Sequence, residues 1–472
     1  MKQDFSQYDG VGLKQLTDQG EASSYEIRAH FANKIKQLNP LLNAVVHDMT
    51  DLPAEAKDDA QSLLSGLPIL IKDLNPVKGQ PFTNGSKLLH DHIAPADDWF
   101  VQKYRHAGLH IQGKTNTPEF GFTPITEPTL FGPTRNPWDL TRSPSGSSGG
   151  AAAAVASGMA PFAHASDGGG SIRMPAAMNG LFGFKPSRGL SPIPPYINQI
   201  SVNHAVTRSV RDSAALLDII KGGTNQDLYP TLRSDESFSK SLQHKVKPLK
   251  IVVTPDWHGQ VTIDQETNQA FEKAKRLLTN LGHEVEVIKP RFDFHDFTAQ
   301  FMNVWIASGA VAIEHLGSLV GRKPSSDLLE SVTYDLYQQG LKMSAFEYEE
   351  SRVRMQLLSK SFADIFNQYD VLMMPVMNQS TFNTGDMVPE TVAEMTDIML
   401  HNCSFTQIAN ASGQPAMSVP IDWTQEGLPV GMQFQSALGQ DHLLLQLAQQ
   451  LETANPWFHQ YVSLERSLNT MT

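Results

Sequence analysis

Cysteine is almost absent from this 472-residue chain: Cys403 is the only one. A single thiol excludes an intramolecular disulfide and any zinc site built on several cysteines. Cys403 lies in HNCSFTQIANASGQPA, which reads as a buried helix, so a packed apolar role is expected for it. Basic charge is also in deficit. Lys and Arg number 37 against 49 Asp and Glu, and the net −12 argues against a nucleic-acid-binding face. No stretch reaches the roughly 18 unbroken apolar residues of a spanning helix. The start, MKQDFSQYDGVGLKQL, lacks the charged-then-apolar pattern of a secretory signal. Internal repeats and low-complexity tails are missing too. The expectation is a cytoplasmic protein with neither membrane nor nucleic-acid partner.

What is present is enough apolar material for a sizeable core: 40% hydrophobic against 18% charged. Residues from about 8 to 62 read as mostly helical, with Ile27, Phe31, Ile35 and Leu38 at helical spacing and Pro40 as an interruption. GLPILIKD (66–73) reads as a buried strand ending at Lys72, Asp97–Gly108 as a helix, and LHIQGKTN (109–116) as a strand. The Pro-, Gly- and Ser-rich stretch 136–148 must be a loop. An alanine helix (151–158) and a strand running into glycines (161–172) follow it. Further on, 249–254, 283–289, 369–376 and 415–421 read as strands. Asp264 is expected to cap a helix that Gly282 stops. Alternation of this kind predicts an α/β fold whose parallel or mixed sheet is covered on both faces. A single domain over 1–472 is expected, with N-terminal helices to about 62, a core to about 220 and a covering C-terminal part from 248 to 465. The polar stretch 221–247 is the one internal seam.

Three features suit hydrolytic chemistry. Lys72 stands at the end of an apolar strand, in LPILIKDL. An ordinary lysine, with pKa about 10.4, is neutral in only about 1 molecule in 10³ at pH 7, so a lysine base must be desolvated. SPSGSSGG (143–150) can hold a serine hydroxyl rigidly, because its glycines permit close backbone approach. No Gly-Lys-Ser/Thr follows, which excludes a phosphate loop. SDGGGSIRMPA (166–176) places glycines before Ser171, where bare N–H groups could receive an oxyanion.

With these three motifs the chain resembles the amidase signature family, whose two serines share one glycine- and serine-rich stretch. Ser147 and Ser171 stand 24 positions apart, matching the family spacing. GKTNTPEFGF (113–122), FGPTRNPWDLTRSP (131–144), GLFGFKPSRG (180–189), SGQPAMSVP (412–420) and GLPVGMQF (427–434) also resemble family text. The wording DGGGSIRMPA is most similar to the 6-aminohexanoate cyclic-dimer hydrolase branch. The resemblance implies a single large α/β/α sandwich around a mixed β-sheet and a cofactor-free, metal-free amidase. It implies Ser171 as nucleophile, Ser147 beside a cis peptide bond as proton bridge, and Lys72 as base. Backbone amides of Gly168, Gly169 and Gly170, with that of Ser171, would form the oxyanion hole, and Ser148 would support the network. Asp167 and Arg173 read as an ion pair clamping the loop. Two positions depart from the family pattern. Ser145 replaces a glycine, and Gly168 stands where many members carry threonine.

The resemblance also places Gly121 at the acyl pocket, where it would leave space for a chain or ring. Phe120, Phe122 and Phe131 are expected to make that pocket apolar. Trp305, in an amphipathic helix (301–310), is expected to pack in the core while its helix walls or covers the substrate. Small neutral linear or cyclic amides are the expected partners. Two alternatives remain: the glutamine-hydrolysing component of a tRNA-dependent amidotransferase, and an inactive binding protein on the same fold. Monomer and homo-oligomer are both open. HDH (90–92) lacks a third metal ligand at suitable spacing. Gly146–Gly150 matches Gly-x-Ser-x-Gly only formally, since no strand leads into it.

Overall fold

Most of the apolar segments find their hydrogen-bond partners in one sheet. The computed structural model describes residues 5–51, 62–192, 199–223, 232, 234–290 and 292–471. Its strands are β1 (Val45–Asp48), β2 (Pro68–Lys72), β3 (His110–Thr115), β4 (Phe162–Asp167), β5 (Phe182–Lys185), β6 (Val202–Thr207), β7 (Lys250–Val253), β8 (Glu284–Val287), β9 (Val371–Pro375), β10 (Ala416–Trp423) and β11 (Pro429–Ser436). They form one 11-stranded sheet in the order β1-β3-β2-β4-β6-β5-β10-β11-β9-β7-β8. β2 runs parallel to β3 and β4, and β7 parallel to β8 and β9, while the centre is antiparallel.

Successive residues of a strand point to opposite faces, and the core divides accordingly. Val371 and Met373 join one apolar cluster, with Leu13, Ile27, Leu217 and Leu444 from helices on that side. Leu372 and Met374 join the other, with Trp257, Phe301, Ile313 and Met355. The result is the expected α/β/α sandwich around a mixed sheet, and the sheet passes without a break across the sequence seam at 221–247. Residues 224–231 and 233 of that seam, and residues 52–61 of the N-terminal helical region, lie outside the described residues.

Most expected elements stand where the sequence put them. Asp264 accepts from Thr267 N at the start of the helix Gln265–Asn280, and Gly282 follows that helix with φ +88°. Three expectations need correction. Pro40 does not interrupt its helix, which runs from Ser24 to Leu42. The proline sits in the last turn, so it forfeits a single backbone bond two residues before the helix stops, and Asn43 ends the helix in the left-handed region. The N-terminal region is also not helical throughout, because β1 is an edge strand paired antiparallel to β3. Cys403 is buried but lies in a bend between the helices Val392–His401 and Gln407–Ser412, not inside one. Burial pushes its thiol up to about 12, which suits packing and not nucleophilic attack.

The sheet delivers the functional segments to one edge. β2 and β4 are parallel neighbours, so their C-terminal ends, Lys72 and Ser166–Asp167, emerge side by side. The alanine helix (Gly149–Ala156) packs against them, and every one of its side chains is buried. Its approach depends on Gly150: a Cβ there would sit 2.5 Å from Asn116 N and 2.7 Å from the Ala44 carbonyl oxygen. Backbone cannot yield as a side chain can. Gly150→Ala is therefore expected to cost about 2–3 kcal/mol of stability, read as a lowered urea midpoint at unchanged slope. An unchanged midpoint would contradict this packing.

Candidate active site

Lys72 is fully buried at the end of β2. Its Nζ donates to Ser147 Oγ at 2.7 Å, Ser148 Oγ at 2.9 Å and Ser166 Oγ at 3.2 Å. Loss of solvent lowers its pKa to about 7, and the charge on Asp167 opposes the fall without cancelling it. About half of the molecules then carry a neutral amine at pH 7. The three hydroxyls supply the polar contacts that a buried amine requires.

Ser147 is held from both sides. The Gly146–Ser147 peptide is cis. A Cβ on Gly146 would fall 2.4 Å from the Ile125 carbonyl oxygen, so only glycine admits this loop between its neighbours. Ser145, the departure from the family pattern, holds φ +64°, a conformation glycine adopts without steric cost. Its hydroxyl donates to the Pro124 carbonyl at 3.0 Å, which secures the residue there.

The glycine loop is anchored by a fully buried ion pair, as expected from the sequence. Arg173 Nη2 lies 2.9 Å from Asp167 Oδ1, and Arg173 Nε lies 2.9 Å from Oδ2. The guanidinium also donates to the Thr406 carbonyl, Gln433 Oε1 and Asn410 Oδ1. Despite burial, the neighbouring Arg173 holds the Asp167 carboxyl down to about 2. The same carboxylate accepts from Gly170 N at 2.7 Å and Ile172 N at 3.2 Å. This narrows the expected oxyanion hole. The Gly170 amide is already committed to Asp167, whereas no acceptor among the described residues takes the amides of Gly168, Gly169 or Ser171.

Ser171 is 7% exposed and opens on an apolar pocket with Gly121, Phe122, Gly169, Met174, Phe301 and Trp305. Gly121 ties this pocket to the lysine group, because its absent Cβ would lie 3.2 Å from Ser147 Oγ. It would also lie 2.6 Å from Leu74 Cδ1 at φ +70°, so protein atoms and not open space occupy that position. The pocket is narrow, about 20 Å³, and Thr123, Pro124, Met302, Met395 and Met399 also line it. Trp305 packs in the core and lines this pocket. Its ring lies 3.0 Å from where a Gly168 Cβ would be, so the family's threonine would collide with it. Phe131 is elsewhere, edge-on to His47 at 5.4 Å.

Ser166 and the pocket methionines were not singled out from sequence. Ser166 opens the glycine motif 166–176, at the strand end beside Lys72. Met395 and Met399 come from a helix more than 200 residues away, and nothing local marks them. His90 and Asp91 of the HDH run are exposed, and Asp91 pairs with Arg322. A larger cavity of about 470 Å³, lined by Tyr25, Lys36, Thr50 and Gln112 among others, includes none of these groups.

A buried lysine bonded to a serine in a glycine-rich loop, and a second serine that follows three glycines and opens on an apolar pocket, are the local features with which the comparisons agree. The Amidase family model matches residues 26–445, and the chain belongs to that family of carbon–nitrogen hydrolases. It is 32% identical over 471 residues to the 6-aminohexanoate-cyclic-dimer hydrolase of Paenarthrobacter ureafaciens, with 95% of each chain covered. The solved structure of a 6-aminohexanoate cyclic dimer hydrolase complexed with substrate superposes with a TM-score of 0.91. Identity there is 29%, covering 98% of this chain and 99% of that one. The solved glutamyl-tRNA(Gln) amidotransferase component of Thermotoga maritima is similar at TM-score 0.78 and 28% identity, covering 96% of each. Among the described residues no helix is long and apolar enough to cross a membrane.

Removing one partner of the Asp167–Arg173 pair strands a buried charge. Asp167→Ala is expected to cost about 3–5 kcal/mol of stability, and the double variant with Arg173→Met to recover part of it. Denaturant unfolding of both proteins checks this. A single variant as stable as the parent would contradict the clamp.

Proposed function

We propose that the protein hydrolyses small neutral amides, linear or cyclic, through an acyl-enzyme formed on Ser171. The carrying observation is the 2.7 Å contact between Ser147 Oγ and a lysine whose pKa has fallen to about 7. Neutral Lys72 takes the Ser147 proton as Ser147 takes that of Ser171, and Ser171 Oγ bonds to the amide carbonyl carbon. The oxyanion is received by the amides of Gly168, Gly169 and Ser171, each such donor being worth about 3–4 kcal/mol of barrier. The relay returns its proton to the amide nitrogen, the carbon–nitrogen bond breaks and the amine leaves. Water then repeats the sequence against the ester, with Lys72 again the base, and releases the acid.

Apolar walls favour an uncharged acyl group. The pocket's unbranched methionines can shift to admit a short chain. Among the described residues no charged side chain lines the pocket beside Ser171, so the α-carboxylate and α-ammonium of glutamine have no counter-charge there. That weighs against the amidotransferase reading, despite the likeness to the Thermotoga protein. Intact Lys72, Ser147 and Ser171 weigh against an inactive binding protein.

Ser171→Ala is expected to abolish both turnover and labelling by a fluorophosphonate. In the parent protein kcat/KM should rise with pH through about 7, as Lys72 loses its proton. Lys72→Ala should lose that limb and about 10²–10⁴-fold in rate. Without partner chains, hexanamide-type amides should be cleaved more efficiently than glutamine. Turnover by Ser171→Ala would overturn the assignment, and a clear preference for glutamine would restore the amidotransferase reading.

A further inference from the structure

At about 20 Å³ the pocket beside Ser171 has room for about one water molecule. The methyl of an acetyl group fits such a space, and the chain of a hexanoyl group does not. One wall must give way for the longer chain, and the walls are not equally fixed. The segment Gly121–Pro124 is held at one end by the Ser145 hydroxyl, which donates to the Pro124 carbonyl at 3.0 Å. At the other end the adjoining Glu119 accepts from Glu330 N at 2.8 Å. Gly169 and Ser171 belong to the loop clamped by Asp167 and Arg173. Phe301, Met302 and Trp305 stand on the 26-residue helix Phe294–Leu319, whose rings already press on that loop. A Cβ on Gly169 would lie 3.3 Å from Phe301, and one on Gly168 would lie 3.0 Å from Trp305.

The remaining wall is the ten-residue helix Val392–His401, which carries Met395 and Met399. It buries Val392, Met395 and Met399 and leaves Ala393, Glu394, Asp397 and His401 exposed, so it forms an outer layer over the pocket. Its ends are tied unequally. Beyond the C-terminal end, the buried Asn378 donates its N–H to the Asn402 carbonyl at 3.1 Å and accepts from Ser404 N at 3.0 Å. The buried Trp257 adds an indole bond to the Ser404 carbonyl at 2.8 Å. At the N-terminal end, among the described residues and apart from the helix's own capping bonds, one hydrogen bond joins the first turn to the rest of the protein. Val392 N donates to Asp335 Oδ2 at 2.9 Å, across to the helix Ser331–Lys342.

A first-turn N–H has no partner within its own helix, so water can replace the carboxylate when that end swings out. The swing uncovers two methionines, and an acyl chain entering beneath them covers them again. A longer chain covers more, so it favours the open position more strongly. On the amidase reading above, we infer that the helix Val392–His401 is a hinged wall of the acyl pocket, and that Asp335 is a specificity residue which limits acyl length by latching its free end.

The test measures kcat/KM on the 4-nitroanilides of acetic, butanoic and hexanoic acids, which differ in acyl length alone. Asp335→Ala should raise the hexanoyl value about two- to tenfold, the range of one hydrogen bond, and leave the acetyl value within about twofold. Asp335→Asn, which keeps an oxygen toward Val392, should stay close to the parent. Hydrogen exchange read by mass spectrometry locates the motion. Peptides of 392–399 should exchange faster in Asp335→Ala than in the parent, with those of 402–412 and 301–310 unchanged. An equal change on all three anilides marks a merely structural role and would overturn the inference. So would exchange that quickens as much at 402–412 or 301–310 as at 392–399. If Asp335→Ala does not fold, exchange in the parent decides, because 392–399 must then open more readily than both other segments. A hinged exchange pattern with no anilide hydrolysed by the parent would instead fault the amidase reading.

Discussion

The arrangement depends on taking one lysine amine out of water. A charged ammonium at the end of β2 would need a counter-ion, yet the groups within hydrogen-bond reach of Lys72 Nζ are the hydroxyls of Ser147, Ser148 and Ser166. Hydroxyls satisfy a neutral amine about as well as a charged one, and they do not repay the desolvation of charge. The nearest compensating carboxylate, Asp167, is tied to Arg173 by two contacts of 2.9 Å. Its residual field on Lys72 is too weak to restore an ordinary pKa. On the proposed mechanism, a lysine so placed is the base near neutral pH.

The glycines serve that burial. Gly146, Gly149 and Gly150 let the serine loop and the alanine helix press onto neighbouring backbone and onto Thr126. That closeness brings Ser147 and Ser148 to the lysine. Gly168 serves a different neighbour, giving its side-chain volume to the Trp305 ring. The ion pair of Asp167 and Arg173 fixes where the glycine loop turns, and it consumes the Gly170 amide in doing so. Loop rigidity thus takes one N–H group from the set that the proposed mechanism assigns to the oxyanion.

Much of this was legible in the sequence. Unbroken apolar runs such as PILIK and VLMMP announced buried strands, and the family resemblance paired Ser147 with Lys72, which the structure finds in contact. What was not legible depended on tertiary choices. β1 is four residues at a sheet edge, too short to announce itself, and it exists because β3 offers an unpaired side. Pro40 was read as a breaker, but a proline in the last turn forfeits one bond and leaves the rest of the helix, to its Asn43 cap, intact. The commitment of Gly170 to Asp167 could not be read from the word DGGGS, because both roles want the same glycines. Asp335 and Val392 stand on separate helices, and each alone reads as an ordinary helix residue.

The central claim is that burial brings the titration of Lys72 down to near neutral pH, and this is open to direct observation. Lysine labelled with ¹³C at Cε can be followed by NMR against pH, with the Lys72 signal assigned by its absence from Lys72→Met. The account predicts that this one resonance titrates near pH 7 while exposed lysines titrate near their ordinary value of 10.5. A Lys72 signal that titrates with the exposed lysines would contradict the account at its root.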